Sequence, residues 1–208
     1  MTPGRGDDLL EGCHFLTRGN QLGIKAGDLG PNRIDSIIGV AKAYVTRVGE
    51  GPFPTEIEGD DQARMRELGG EYGTTTGRER RCGWLDLVGL RYAARLNGLT
   101  SLALTKLDVL SHFAQVPVCV RYRLRDGSET ADFPAHQSDF HHCEPVYEVL
   151  AGWEEPLDGV ETLDDLPEAA RRYIDFVERE VGGDVSLIGT GRDRERVIAP
   201  RELEALLS

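Results

Sequence analysis

Two short apolar runs, Leu99 to Leu104 and Val185 to Gly189, each break off into a polar, turn-rich segment, and this pattern restricts the fold more than any other feature. Runs of that length bounded by turn signals suit strands buried on both faces. Amphipathic helices separate them. Leu85, Val88, Tyr92 and Leu96 recur at helical spacing, and Asn97-Gly98 supplies the stop. Tyr173, Val177 and Val181 mark a second stripe, with Gly182-Gly183 at its end. Asp165 reads as its N-cap, Pro167 as a first-turn residue and Glu168 as the partner completing a capping box. Pro31 is expected to open a further helix, because Ile34, Ile37, Ile38 and Ala41 fall on one face. Ala43 to Val48 reads as a strand, and residues 1–29, glycine-rich and without period, read as irregular. Strands alternating with helices predict an α/β fold with a largely parallel sheet. Val116 to Arg125, the Asp126-Gly127 turn and Ser128 to Phe133 predict a peripheral hairpin.

Open parallel sheets bind ligands beyond the carboxyl ends of their strands. The two apolar runs deliver Thr105-Lys106-Leu107-Asp108 and Thr190-Gly191-Arg192-Asp193-Arg194 to that place. A third segment is richer still in donors. Gly73-Thr74-Thr75-Thr76-Gly77-Arg78-Glu79-Arg80-Arg81 packs hydroxyls, glycines and arginines into a loop suited to anions. The hydroxyls donate, and the guanidinium forks match carboxylate or phosphate in bidentate fashion. The start of the next helix lies close in sequence, and helix N-termini also favour negative charge. Gly49-Glu50-Gly51-Pro52-Phe53-Pro54 is a stiff loop after a strand, a common site carrier.

Charge excludes one class. A formal net charge of -12 is the wrong sign for non-specific nucleic-acid binding. No apolar run reaches the length of a membrane helix, and the first residues lack the core of a signal peptide. Cys13, Cys82, Cys119 and Cys143 form no Cys-x-x-Cys pair, so the expected setting is the reducing cytoplasm. His136, His141, His142 and Cys143 cluster without a familiar zinc spacing, and no metal site is assigned to them.

Val48-Gly49-Glu50-Gly51-Pro52-Phe53-Pro54-Thr55-Glu56, Gly73-Thr74-Thr75-Thr76-Gly77-Arg78, Gly83-Trp84-Leu85-Asp86 and Leu104-Thr105-Lys106-Leu107-Asp108 occur in one order and at sensible spacing. Together they resemble the C-terminal half of adenylosuccinate synthetase, from about Gly30 to about Arg194. The resemblance implies part of a large, mainly parallel sheet flanked by helices, P-loop-NTPase-like, with residues 1–25 an irregular segment and 26–208 the C-terminal part of such a domain. It implies a ligase that joins IMP to L-aspartate at the expense of GTP, with Mg²⁺, in a homodimer. By motif, Thr74, Thr75, Thr76, Gly77, Arg78, Glu79 and Arg80 would form the L-aspartate loop. Val48 and Arg78 would meet IMP; Arg80, Lys106, Leu107, Asp108, Gly189, Thr190 and Gly191 would meet GTP. A carboxylate at Asp108 suits guanine, whose ring N1–H and amino group both donate. The lysine stem can lie along the base plane. Gly189 and Arg192 stand where the family has serine and proline, and Glu79 stands where its arginine run commonly has another arginine.

No lysine in this sequence follows a glycine, so the family's glycine-rich phosphate loop has no counterpart here. Its catalytic aspartate and histidine, and the Mg²⁺ ligands, are expected outside this chain, which assigns no catalytic or metal residue within it. The reading is of part of a longer synthetase, incomplete alone; the alternative is a stand-alone nucleotide- or anion-binding module without catalysis. A guanine-nucleotide switch built on Lys106 and Asp108 is a third reading, and it leaves Gly73 to Arg81 unexplained.

Overall fold

The computed structural model describes residues 34–199 and the backbone of residues 14–17. In chain order the elements are β1 (His14–Thr17), β2 (Ile37–Lys42), β3 (Val45–Arg47), α1 (Asp60–Gly69), β4 (Arg81–Gly83), α2 (Leu87–Asn97) and β5 (Ser101–Thr105). A 3-10 turn, Leu107–His112, leads into β6 (Phe113–Arg123), β7 (Glu129–Thr130), α3 (Gln137–His142) and β8 (Glu144–Trp153). A second 3-10 turn, Leu163–Asp165, precedes α4 (Glu168–Val181), β9 (Asp184–Gly189) and β10 (Val197–Ile198).

The main sheet runs β1-β2-β5-β9-β10. Its centre, β2-β5-β9, is parallel, and the antiparallel strands β1 and β10 flank it. The two apolar runs are therefore neighbouring parallel strands, and their carboxyl ends open on the same side. Tyr173 of α4, fully buried, ties that helix to the sheet by donating its hydroxyl to Ala43 O at 2.7 Å. α2 and α4 end at Gly98 and Gly182, as their sequence predicts.

Three expectations need correction. The stretch Ile34 to Ala41 is not a helix: Ile37–Lys42 is β2, paired in register with Ser101 to Thr105. A short run of Ile, Ile, Val and Ala satisfies both periods, and a parallel strand with apolar neighbours on both faces wins here. Pro31 and most of residues 1–29 lie outside the described residues, while His14–Thr17, inside the segment read as irregular, forms β1. Ala43 to Val48 is a strand only over Val45–Arg47, because Ala43 and Tyr44 are spent on a buried bend below β5.

The capping box also lies one turn earlier than the sequence suggests. Asp165 turns back to Thr162, accepting from its backbone N–H at 3.0 Å and its hydroxyl at 2.7 Å. α4 itself begins after Pro167, with no side-chain cap.

The peripheral hairpin is part of something larger. β6 pairs with β7 over two residue pairs but with β8 along almost its whole length, giving an antiparallel sheet β7-β6-β8. Beside it a small second core gathers Val88, Cys119, Tyr122, Phe140 and Cys143. Asp86 links it to α2: its carboxylate accepts from Val88 N and Gly89 N, and from the Tyr122 hydroxyl. Burial pushes the Asp86 carboxyl up from its usual value, against those donors. Among the described residues no helix is long and apolar enough to cross a membrane.

The close approach of β8 to β6 depends on Gly152, where an added Cβ would overlap the Phe113 carbonyl oxygen. Gly152→Ala is expected to destabilise the fold by about 1–3 kcal/mol or more, read as a lower urea midpoint. An unchanged midpoint would contradict this strand register.

Candidate functional site

The segments that follow β5 and β9 line a cavity of about 270 Å³, with Asp108 from the first, Thr190, Gly191 and Arg192 from the second, and Leu68 of α1. Gly189, the last residue of β9, lies against Thr105, so the two strand ends meet before the chain diverges. Thr190 is buried, and its N–H donates to Arg196 O at 2.9 Å. On the opposite segment Asp108 presents a buried Oδ1 that has no hydrogen-bond partner. Burial raises the pKa of its carboxyl above the ordinary value. An unpartnered buried carboxylate oxygen carries a desolvation cost that a donor-bearing ligand removes. Leu107 is wholly buried in the hydrophobic core and does not line the cavity.

Lys106 has φ 60°, the one positive φ at a non-glycine among the described residues. Its ammonium donates to Gly69 O at 2.6 Å and to Glu71 Oε1 at 2.9 Å. Glu71 is a centre that the sequence reading misses. The side chain is fully buried, and its Oε1 also accepts from Lys42 Nζ at 2.9 Å and from the Tyr44 hydroxyl at 2.6 Å. Its Oε2 accepts from Arg80 Nη1 at 2.8 Å. Burial alone would push the Glu71 carboxyl up; the bonds from Tyr44, Lys42 and Lys106 outweigh it and hold the pKa down to about 2. The Lys42 pKa is lowered too, chiefly by burial, which disfavours its charged form. The signal for this centre was present: of the few lysines in the chain, Lys42 and Lys106 end neighbouring strands, and they needed a shared counter-charge.

The Gly73 to Arg81 segment is a tight hairpin. Gly73 N donates to Arg78 O and Gly77 N to Gly73 O, both at 2.8 Å, and Tyr72 bridges Glu79 across it. Gly77 sits at φ 65°, in the left-handed region that its lack of a Cβ makes easy. Thr74, Thr75, Thr76 and Arg78 are exposed at the tip, where their donors are free to meet a ligand. Glu79 points away from that tip and pairs with Arg66 of α1 at 2.9 Å. Arg80 turns inward to Glu71, leaving its own Nε buried without a partner.

Arg81 does not join the loop. It pairs with Glu56, and its Nη1 donates to Gly49 O at 3.2 Å and Gly51 O at 3.0 Å. Arg47 donates to Pro52 O and Glu50 O from below. Between them the two arginines hold the Gly49 to Pro54 loop by its carbonyls, with Val48 half exposed at its start. The expected help from a helix N-terminus is absent, because Asp86 occupies that of α2 with its own carboxylate. His142 bonds to Ser138 O on an exposed helix, and among the described residues no three His, Cys, Asp or Glu side chains converge on a metal position.

Comparisons with known proteins identify relatives of one family. The family model described as adenylosuccinate synthetase matches residues 17–198. The adenylosuccinate synthetase of Acidothermus cellulolyticus is 52% identical over 179 residues, covering 86% of this chain and 41% of the relative. That of Acetivibrio thermocellus is 49% identical over 187 residues, covering 88% and 44%. The structure of fully ligated adenylosuccinate synthetase from Plasmodium falciparum superposes with a TM-score of 0.79 at 38% identity, covering 83% of this chain and 42% of that one. The chain thus spans about two fifths of the length of these relatives.

Because Glu71 has a depressed pKa, it contributes stability above its unfolded value near 4.5 and loses it as pH falls toward about 2. Glu71→Gln is expected to cost about 3–5 kcal/mol at neutral pH, the cost of breaking a buried ion pair. It is also expected to flatten the dependence of Tm on pH between those two values, compared with the unaltered chain. An identical acid profile would contradict the charge assignment.

Proposed function

The chain belongs to the adenylosuccinate synthetase family, and from that premise we propose that it furnishes the guanine pocket and the L-aspartate loop for GTP-dependent ligation of IMP to L-aspartate. In that reaction GTP phosphorylates O6 of IMP, and the aspartate amine then displaces the phosphate to give adenylosuccinate. The observation that carries the reading is Asp108: a buried, unpartnered carboxylate oxygen at a cavity also lined by Thr190 and Gly191. Guanine offers that carboxylate two donors on one edge. Adenine offers a ring acceptor in place of one of them, which sets lone pair against lone pair. Lys106 has its charge drawn down to Glu71 and Gly69, which favours its methylene stem as the part that lies along the base.

The exposed hydroxyls of Thr74, Thr75 and Thr76 and the fork of Arg78 are the donors for the carboxylates of L-aspartate, with Gly77 the hinge about which the loop closes. Val48, at the start of the clamped loop, and Arg78 are the contacts to IMP. Arg80 faces the phosphates of GTP: its guanidinium is oriented by Glu71 and its side chain stays about a third exposed. Phosphoryl transfer is catalysed chiefly by positioning and charge stabilisation, which is what fixed arginines supply. The Mg²⁺ that this chemistry implies finds no gathered set of carboxylate or imidazole ligands among the described residues. The buried thiols Cys82, Cys119 and Cys143 are free, in keeping with a cytoplasmic setting, and assembly as a homodimer follows the family.

Equilibrium titration of the chain with guanosine and with adenosine tests the pocket. Guanosine is expected to bind roughly ten- to a hundredfold more tightly, the worth of hydrogen bonds to a charged acceptor. Asp108→Asn is expected to abolish the preference while leaving the fold intact, since it removes a desolvated charge. As the carboxylate form binds and burial raises its pKa, guanosine affinity should weaken on acidification at a higher pH than an ordinary aspartate would impose. Equal affinity for the two nucleosides would sink the assignment.

A further inference from the structure

Glu71 stands between two segments with separate tasks, the Gly73 to Arg81 loop and the Lys106 to Asp108 turn. Each oxygen of its carboxylate serves one of them: Oε2 accepts from Arg80, and Oε1 accepts from Lys106. Lys106 also donates to Gly69 O, so the turn is tied at two points to the stretch that leads into the loop. Left-handed backbone is uncommon for a lysine and persists where surroundings hold it. The ties of its ammonium add to backbone bonds here, Val109 N donating to Lys106 O at 3.3 Å and Ala43 N to Thr105 O at 2.8 Å. Asp108 follows two residues later, so the aim of its carboxylate depends on the backbone at Lys106.

The other two partners form a floor. Lys42, which also donates to Thr46 Oγ1 at 3.0 Å, and Tyr44 both end on Oε1. Lys42, Lys106 and Arg80 thus share one buried carboxylate, and the cluster carries more positive than negative charge. In such a network, a change in the bond at one member alters the strength available to the others.

We propose that Glu71 is a positioning residue that couples the two halves of the site, orienting Arg80 directly and Asp108 through Lys106, so that a ligand seated in the cavity orders the anion loop. The inference rests on the reading of the cavity as the guanine site. Its consequence is an order of assembly: a guanine base bound at Asp108 prepares the arginine that meets the phosphates and the loop that closes on the amino acid. Coupling through one shared group is reciprocal, so occupancy of the loop by an anion equally tightens the cavity.

Amide hydrogen exchange with and without saturating guanosine tests this, because guanosine carries no phosphate with which to touch the loop. In the unaltered chain guanosine is expected to slow exchange at Asp108 and Thr190, and also, by about five- to tenfold, at residues 73–80. Glu71→Gln is expected to keep protection at Asp108 and Thr190, with weaker guanosine affinity, and to lose it in the loop. Lys106→Met, which cuts both ties of the turn, to Gly69 O and to Glu71, and leaves Glu71 paired with Lys42 and Arg80, should lose it as well and serves as the decisive variant if the first does not fold. Val177→Ala, a core change in α4, is expected to lower stability yet retain the loop protection, which separates coupling from general loosening. Loop protection that survives Glu71→Gln or Lys106→Met, or that is absent from the unaltered chain while Asp108 is protected, would overturn the proposal and spare the cavity reading. Absence of protection at Asp108 and Thr190 themselves would overturn both.

Discussion

One buried carboxylate holds this site together. Glu71 collects Lys42 from the end of β2, Lys106 from the end of β5, Arg80 from the loop hairpin and the hydroxyl of Tyr44. A lone carboxylate in that position would be neutralised by protonation; here the donors outweigh burial and keep it charged. The converse holds for its partners. Two lysines brought to adjacent strand ends would repel one another, and Glu71 is what lets the parallel sheet bring them together. Remove the carboxylate and the strand ends, the turn at Lys106 and the hairpin lose their common anchor.

Around that anchor the site is built by clamping loops rather than by filling them. Arg47 and Arg81 hold the Gly49 to Pro54 loop through its carbonyls, and Glu56 fixes Arg81 in turn. Arg192 donates to Leu68 O at the end of α1, tying the cavity rim to the helix that leads into Glu71. It does so from a position where a proline, having no side-chain donor, has nothing to offer. Glu79, another departure from the family's pattern, is drawn outward by Arg66 and leaves the loop tip to its hydroxyls and Arg78. Arg192 and Glu79 are therefore accommodated at the edge of the site.

The sequence revealed the parts of this arrangement that depend on local pattern. Leu99 to Leu104 and Val185 to Gly189 are parallel neighbours because their apolar character suits nothing but burial on both faces, and the loops that follow them meet at one cavity. Helices α2 and α4 were legible from stripe and stop. What pattern did not convey was pairing at a distance. β2 has a composition that satisfies helix and strand periods alike, and only its register with β5 decides. β8 is an alternation too weak to read alone, yet it is the chief partner of β6. Asp86 and Glu71 look like ordinary acidic residues in sequence; each is a hub because the fold removes water from it and brings donors to it. Arg81 shows the same limit in reverse, reading as a member of the anion loop while its side chain serves the neighbouring one.

A crystal structure of the chain with guanosine diphosphate bound addresses the central claim most directly. The account predicts the base in the cavity between Asp108 and Thr190, with its ring N1–H and amino group donating to the Asp108 carboxylate and the diphosphate directed toward Arg80. A base seated elsewhere, or in the cavity with Asp108 turned away from its donor edge, would contradict it.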